Sequence, residues 1–169
     1  MTAASTPAPD AGSWIALADE SATAEFAARL ARALPAATPP LVIYLHGDLG
    51  AGKTTLARGM LRAMGETGAV RSPTYALMAE YQPAGTRVLH LDLYRLDSPD
   101  DLLALGLADH LPGSTVWLIE WPEKGAGGGL PPADAAVYLE PDGRARRACI
   151  VPRSASGARW AAAVAADSG

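Results

Sequence analysis

The stretch from Leu41 to Thr55, LVIYLHGDLGAGKTT, decides the fold of this chain. Its first five residues form a continuous apolar run, which is typical of a strand buried on both faces of a sheet. A glycine-rich turn follows at Gly47–Gly52, and Lys53–Met64 reads as a helix closed by Gly65. The order of strand, glycine-rich loop and helix predicts the phosphate-binding unit of an α/β protein.

The loop itself matches the pattern G-x-x-x-x-G-K-[ST] in full, as Gly47-Asp48-Leu49-Gly50-Ala51-Gly52-Lys53-Thr54. Glycines in such a loop let backbone N–H groups turn inward around a phosphate, and the positive end of the helix dipole adds to the attraction. In this pattern Lys53 reaches the β- and γ-phosphates, and the Thr54 hydroxyl binds Mg²⁺. The alternative interpretation is a glycine-rich turn that happens to end in Lys-Thr. We predict a nucleoside triphosphate site with magnesium.

The rest of the chain supplies the other elements of an α/β domain. Apolar runs and helical spacing alternate along it, and short loops join two pairs of extended segments as in antiparallel hairpins. We expect a three-layer P-loop NTPase fold with a mainly parallel central sheet and antiparallel hairpins. The predicted strands are 14–17, 41–45, 75–81, 87–91, 115–119, 135–140 and 146–151. The first predicted helix is capped by a residue within 19–21 and ends before 35. The other predicted helices are 53–64, 97–111 and 154–166, and Gly106 weakens the middle of the second of these.

Length and composition limit the possible classes of protein. A chain of 169 residues, 49% of them hydrophobic, suits one domain, which we expect at 14–169 after a disordered tail at 1–13. The sequence contains no stretch of about 18 uncharged apolar residues, so no membrane span is predicted. One cysteine gives no support for an oxidising compartment, so we expect a cytoplasmic protein. The net charge of −4 argues against broad binding of a nucleic-acid backbone, so any nucleic acid should reach the chain through a partner.

Two carboxylates follow apolar runs, at the places where strands are predicted to end. Asp92 follows Val88–Leu91, and Glu120 follows Val116–Ile119. Magnesium and attacking water need carboxylates beside a P-loop, so both are candidate catalytic residues together with Lys53. The alternative is that each is a solvated acid at the end of a strand.

Two features of the sequence bear on which nucleotide base the site would bind. GTPases of the large families recognise guanine with an N-K-x-D motif, and this chain contains no asparagine, so ATP is the expected nucleotide. Trp121 follows Glu120 directly, where it could stack on a base or simply pack over the strand end.

Four blocks of the sequence, in this order, closely resemble the TsaE (YjeE) family of ATPases. The resemblance extends from about Ile15 to Val151 and is more specific than the P-loop alone. The blocks are Gly47-Asp48-Leu49-Gly50-Ala51-Gly52-Lys53-Thr54-Thr55, Ser72-Pro73-Thr74-Tyr75, His90-x-Asp92-x-Tyr94-Arg95-Leu96 and Ile119-Glu120-Trp121-Pro122-Glu123.

The resemblance implies a function in the bacterial synthesis of threonylcarbamoyladenosine, a modified base beside the anticodon of tRNA. It implies an auxiliary ATPase that binds ATP and Mg²⁺ and docks on the TsaB–TsaD pair, whose TsaD member transfers the threonylcarbamoyl group. Hydrolysis would reset that assembly between rounds. A small-molecule P-loop kinase is the alternative, although no arginine cluster typical of a kinase lid stands out between Asp97 and Pro132. A nucleotide-dependent binding module with little turnover is a third possibility.

The resemblance also implies individual roles. It places Lys53 on the phosphates, Thr54 and Glu120 on magnesium, Thr55 on the α-phosphate side, and Asp92 near the metal or the attacking water.

Other roles that the resemblance implies lie outside the loop and the two acids. Thr74 would sense the γ-phosphate from a switch-like loop, or belong to a plain turn. Trp121, Glu20 and Arg144 would approach the nucleotide, with Glu20 near adenine; an arginine on a hairpin is otherwise a solvated strand residue. His90 is expected to pack or to orient the Asp92 loop, because no second His or Cys lies at ligand spacing.

Overall fold

A computed structural model describes Pro9 and residues 13–36, 40–112 and 115–167. In this part the chain forms a seven-stranded sheet flanked by helices. The strands are β1 (Ile15–Leu17), β2 (Leu41–His46), β3 (Met78–Tyr81), β4 (Arg87–Asp92), β5 (Thr115–Glu120), β6 (Ala135–Asp142) and β7 (Ala145–Pro152); the helices are α1 (Glu20–Arg32), α2 (Lys53–Ala63), α3 (Pro99–Leu103) and α4 (Ala155–Ala166).

The strand order is β1-β7-β6-β2-β5-β4-β3. The four central strands pair in parallel, β6 with β2, β2 with β5 and β5 with β4. The outer pairs are antiparallel, and β3–β4 and β6–β7 are hairpins. This confirms the predicted α/β fold with a mainly parallel centre and antiparallel hairpins.

The two faces of the sheet are covered differently. Alternate residues of β2, such as Ile43 and Leu45, pack against α1, α2 and α4 in the larger core. On this face Trp160 is fully buried, and its indole N–H donates to the Leu30 carbonyl across 3.1 Å. The other face packs under α3 and the single turns around it, through Leu89, Trp117 and their neighbours. Burial on both faces explains the unbroken apolar run of β2.

Side chains cap the first turns of α1 and α4, as the sequence predicts. The Asp19 carboxylate accepts from the Ala22 N–H at 2.8 Å and begins α1, and the Ser154 hydroxyl accepts from the Gly157 N–H at 3.1 Å and begins α4. Gly106, with φ of 62°, separates α3 from a single 3₁₀ turn at Leu107–His110. The predicted helix at 97–111, whose weak point is Gly106, is therefore broken there, because Gly106 adopts a left-handed conformation.

The predicted strand at 75–81 is wrong in its first half. Residues 74–76 form a turn that is closed when the Leu77 N–H donates to the Pro73 carbonyl at 2.7 Å, and the strand begins at Met78. The predicted tail at 1–13 lies outside the described residues except for Pro9 and Ser13. No helix within the described ranges is long and apolar enough to cross a bilayer.

Candidate functional site

The glycine-rich loop joins the end of β2 to the beginning of α2. Gly47 has φ of 154°, and a Cβ there would lie 2.6 Å from the Leu139 carbonyl oxygen of β6. Gly52, directly before α2, has φ of 106°. Both positions therefore favour glycine, one for lack of space and one for backbone conformation. The result is a tight loop over the positive end of an 11-residue helix, which suits an anion.

Lys53 begins α2 and is almost fully enclosed, with 4% of its surface exposed. Its ammonium group donates hydrogen bonds to the carbonyl oxygens of Gly47 and Asp48, and lies 4.0 Å from the centre of the Trp121 ring. Burial lowers the pKa of Lys53, and the charges of nearby acids, Glu120 foremost, oppose that shift. A buried cation held at a glycine-rich loop is a fitting partner for phosphate oxygens.

The Thr54 hydroxyl lies against the carboxylate of Glu120, at 3.0 Å from Oε1 and 2.8 Å from Oε2. Glu120 is 1% exposed at the end of β5, and its Oε1 is also 2.7 Å from Nε2 of His90. A hydroxyl and a carboxylate side by side provide the hard oxygen ligands that Mg²⁺ prefers. The donor set beside the loop thus fits magnesium.

Asp92 ends β4 directly beside Glu120, its partner in the parallel register of β4 and β5. Its Oδ2 accepts from the hydroxyls of Ser72, at 2.7 Å, and Thr74, at 3.1 Å. Its Oδ1 accepts from the Tyr94 N–H at 3.1 Å. The loop that carries Thr74 is therefore tied to the second acid of the site.

A cavity of about 420 Å³ brings most of these groups together. Its lining residues are Leu49, Gly50, Gly52, Lys53, Thr54, Thr55, Ser72, Thr74, Asp92, Tyr94, Arg95, Glu120, Trp121 and Arg146. The side chain of Ala51 faces the core instead, so that residue offers the loop its backbone. Both acids, the lysine, the two P-loop threonines and Thr74 share one cavity.

The family model of the "threonylcarbamoyl adenosine biosynthesis protein TsaE" matches residues 17–149. The chain belongs to the TsaE family. Among curated relatives bearing the TsaE name, the protein of Haemophilus influenzae is 51% identical over 100 residues, which cover 59% of this chain and 63% of that protein. The protein of Synechocystis is 36% identical over 118 residues, covering 64% of this chain and 69% of that protein.

Other matches agree in fold and family. The TsaE protein of Bacillus subtilis is 41% identical over 85 residues, which cover 50% of this chain and 52% of that protein. The crystal structure of Bacillus subtilis YdiB superposes with a TM-score of 0.77 at 24% identity, over 96% of this chain and 100% of that one. At that identity the structural match shows the fold alone.

A second cavity of this TsaE-family chain adjoins the first and holds the residues predicted for the nucleoside end. It measures about 430 Å³, includes Glu20 and Arg144, and shares Gly50 and Arg146 with the P-loop cavity. Trp121 lies in the other cavity, over Lys53. A base stacked on Trp121 and a base seated beside Glu20 are therefore two different poses.

Arg146 was not predicted as a site residue, and His90 was predicted in a different role. Arg146 lines both cavities, and a Cβ at Gly52 would lie 3.3 Å from its Nε. Arg144 lies in the turn before β7, so its spacing of two from Arg146 gave no strand signal for that residue. His90 contacts Glu120, whereas the sequence suggested a role at the Asp92 loop. Its spacing of two from Asp92 places both on one face of β4, but only strand pairing brings Glu120 to that face.

A larger cavity of about 700 Å³ lies away from the P-loop residues. It is lined in part by Tyr44, His46, Glu123 and Tyr138, on the sheet face opposite α2. His46 Nδ1 is 3.6 Å from Glu123 Oε2, which is too long for a hydrogen bond. We place the candidate site in the smaller cavity because Lys53, Thr54 and both acids lie there.

Proposed function

We propose that this chain is a magnesium-dependent ATPase that acts in the synthesis of threonylcarbamoyladenosine in tRNA. The contact of Thr54 with Glu120 beneath a complete P-loop carries the ATPase part of the proposal. Membership of the TsaE family supports the pathway. The carboxylate is buried and shares one cavity with the buried side chain of Lys53, so the site pairs a phosphate-binding cation with a metal-binding anion.

Each P-loop residue then has a task when ATP is present. Residues 47–52 offer their N–H groups to the β-phosphate, and Lys53 exchanges its two loop carbonyl partners for phosphate oxygens. Thr54 and Glu120 would hold Mg²⁺, which would supply positive charge to neutralise the phosphates. Thr55, next along α2, faces the α-phosphate side.

The ligands of Mg²⁺ would come from the nucleotide as well as from the chain. No group of three or more His, Cys, Asp or Glu side chains arranged to hold an ion occurs in the described part of the protein. Thr54 and Glu120 would hold Mg²⁺ together with phosphate oxygens and water, as is usual for this ion.

The second acid and the loop tied to it form the part of the site that responds to the γ-phosphate. Asp92 would orient the attacking water or lie near the metal. Thr74 moves from the Asp92 carboxylate towards the γ-phosphate, so that the loop from Ser72 reports whether ATP or ADP is present. Lys53, Asp92 and Glu120 are the catalytic residues of this proposal.

The adjoining cavity receives the nucleoside end of ATP. Glu20 and Arg144 lie there, and Trp121 encloses Lys53 at the phosphate end. The partner is the TsaB–TsaD heterodimer, and tRNA is reached only through that complex, since the net charge of −4 does not favour a phosphate backbone. The site of action is the cytoplasm.

The decisive experiment measures ATP hydrolysis by the purified chain with and without TsaB–TsaD, in magnesium and in EDTA. We expect slow, magnesium-dependent hydrolysis that the heterodimer stimulates. A small-molecule kinase would transfer the phosphoryl group to an added acceptor and ignore TsaB–TsaD, and that result would replace our proposal.

A further inference from the structure

His90 is a buried titratable side chain to which the proposed mechanism gives no task. It lies in the middle of β4 and is 0% exposed. In the register of β4 with β5 it is opposite Leu118, two residues before Glu120. The side chains of His90 and Glu120 therefore share one face of the sheet, the face on which α2 packs.

The hydrogen bond between them has a defined direction. His90 Nε2 is 2.7 Å from Glu120 Oε1, whereas Nδ1 is buried with no hydrogen-bond partner among the described residues. A proton on Nδ1 would be buried without an acceptor, which is costly. A proton on Nε2 is donated to a carboxylate, so a ring that carries a proton on Nε2 satisfies this contact.

The Glu120 carboxylate is thus held by two donors on different elements. Thr54 approaches from the first turn of α2, and His90 approaches from the neighbouring strand. The Thr54 hydroxyl has to serve a metal ion as well when one binds, whereas His90 has no second partner in the described residues. His90 is therefore the donor that stays with the carboxylate throughout.

From this geometry we propose that His90 is a positioning residue, which fixes the Glu120 carboxylate in the orientation that binds magnesium. The inference rests on the proposed function and adds to it a residue that touches neither nucleotide nor metal. Partners behind a metal ligand commonly alter metal affinity or activity by about 10- to 100-fold when removed. Asp92 is independent of His90, because Ser72, Thr74 and the Tyr94 N–H hold it.

The test compares two substitutions that differ in the ability to donate. His90→Leu fills the space without a donor, and His90→Gln carries an N–H group at a reach similar to Nε2. For His90→Leu we expect half-maximal ATPase activity at an Mg²⁺ concentration about tenfold higher and a kcat about 10- to 100-fold lower. ATP affinity measured in EDTA should stay within about twofold of wild type, and His90→Gln should recover most of both losses.

Val88→Ala is the matched control, since Val88 is equally buried on the same face of β4 but belongs to the apolar core. It should lower thermal stability without changing the magnesium requirement. Should His90→Leu fail to fold, His90→Asn, whose shorter amide does not reach Glu120, takes its place. Nitrogen-15 spectra of the imidazole in the wild-type chain give a readout without ATP, and an Nε2 that carries no proton would overturn the inference.

The outcomes separate this inference from the function on which it rests. Equal magnesium requirements for wild type, His90→Leu and His90→Gln, with normal turnover, would overturn the role of His90 alone. Equal losses in the Leu and Gln variants would make His90 a packing residue. A wild-type chain without magnesium-dependent hydrolysis, alone or with TsaB–TsaD, would overturn the proposed function and this inference with it.

Discussion

The Thr54 hydroxyl lies 3.0 Å from Oε1 and 2.8 Å from Oε2 of the Glu120 carboxylate, although the two residues are 66 positions apart in the chain. Parallel pairing of β2 with β5 sets Leu45 opposite Glu120, so the end of β5 lies beside the loop that leads into α2. The carboxyl ends of neighbouring parallel strands are where α/β proteins commonly place ligand sites.

Replacing Glu120 with alanine should separate binding from turnover. The loop and Lys53 remain to hold the phosphates, but the metal loses a ligand that matters most in the transition state. We expect kcat to fall by at least about 100-fold, with ATP affinity within about tenfold of wild type. Calorimetry and a phosphate-release assay measure the two effects. Glu80→Ala, an exposed acid on β3, is the control. Normal partner-stimulated hydrolysis in Glu120→Ala would make Asp92 the leading acid.

Replacing Lys53 with alanine should abolish most ATP binding. The substitution removes charge-assisted hydrogen bonds, each worth about 1.5–3 kcal/mol, so a loss of affinity of at least about 100-fold is expected. Calorimetry with ATP and Mg²⁺ measures it. Lys124→Ala removes the chain's other lysine, which does not line the P-loop cavity, and should change affinity by less than about threefold. Undiminished affinity in Lys53→Ala would remove the P-loop assignment.

ATP should bind at least about tenfold more tightly than GTP. The reason is the absence of asparagine, and hence of the N-K-x-D motif with which the large GTPase families recognise guanine. Competition of each nucleotide against a fluorescent ATP analogue measures the ratio. Equal competition by GTP would contradict the prediction, and CTP serves as a control for binding through the phosphates alone.

Glu123 should make folding stability depend on pH in acid solution. Burial acts to raise the pKa of its carboxyl group, but His46, its own backbone N–H and the charge of Lys53 outweigh burial, so the pKa lies below 4.5. Because the folded-state pKa is depressed, the stabilisation is present above about pH 4.5 and is lost as the pH falls through the folded-state pKa. Urea unfolding between pH 6 and pH 3 should give a shallower pH dependence for Glu123→Gln than for wild type. Parallel curves would contradict this, and Asp142→Asn, an exposed acid, controls for net charge.

The local features of the fold could be predicted because short-range chemistry fixes them. The apolar run of β2, the glycine loop and the periodicity of α2 lie within about 25 consecutive residues, and each reports a local conformational preference. The caps of α1 and α4 are of the same kind. The start of β3 was misplaced because Pro73 and Leu77 close a turn whose hydrogen bond has no signature in hydrophobic alternation.

The P-loop unit and the positions of Asp92 and Glu120 at strand ends follow from local sequence. The contacts of Glu120 with Thr54 and His90, and of Asp92 with Ser72 and Thr74, follow only from the tertiary structure. These contacts depend on the strand order and register of the sheet, which long-range packing sets. Periodicity reports which face of a strand is buried, but it carries no information about which strand becomes its neighbour.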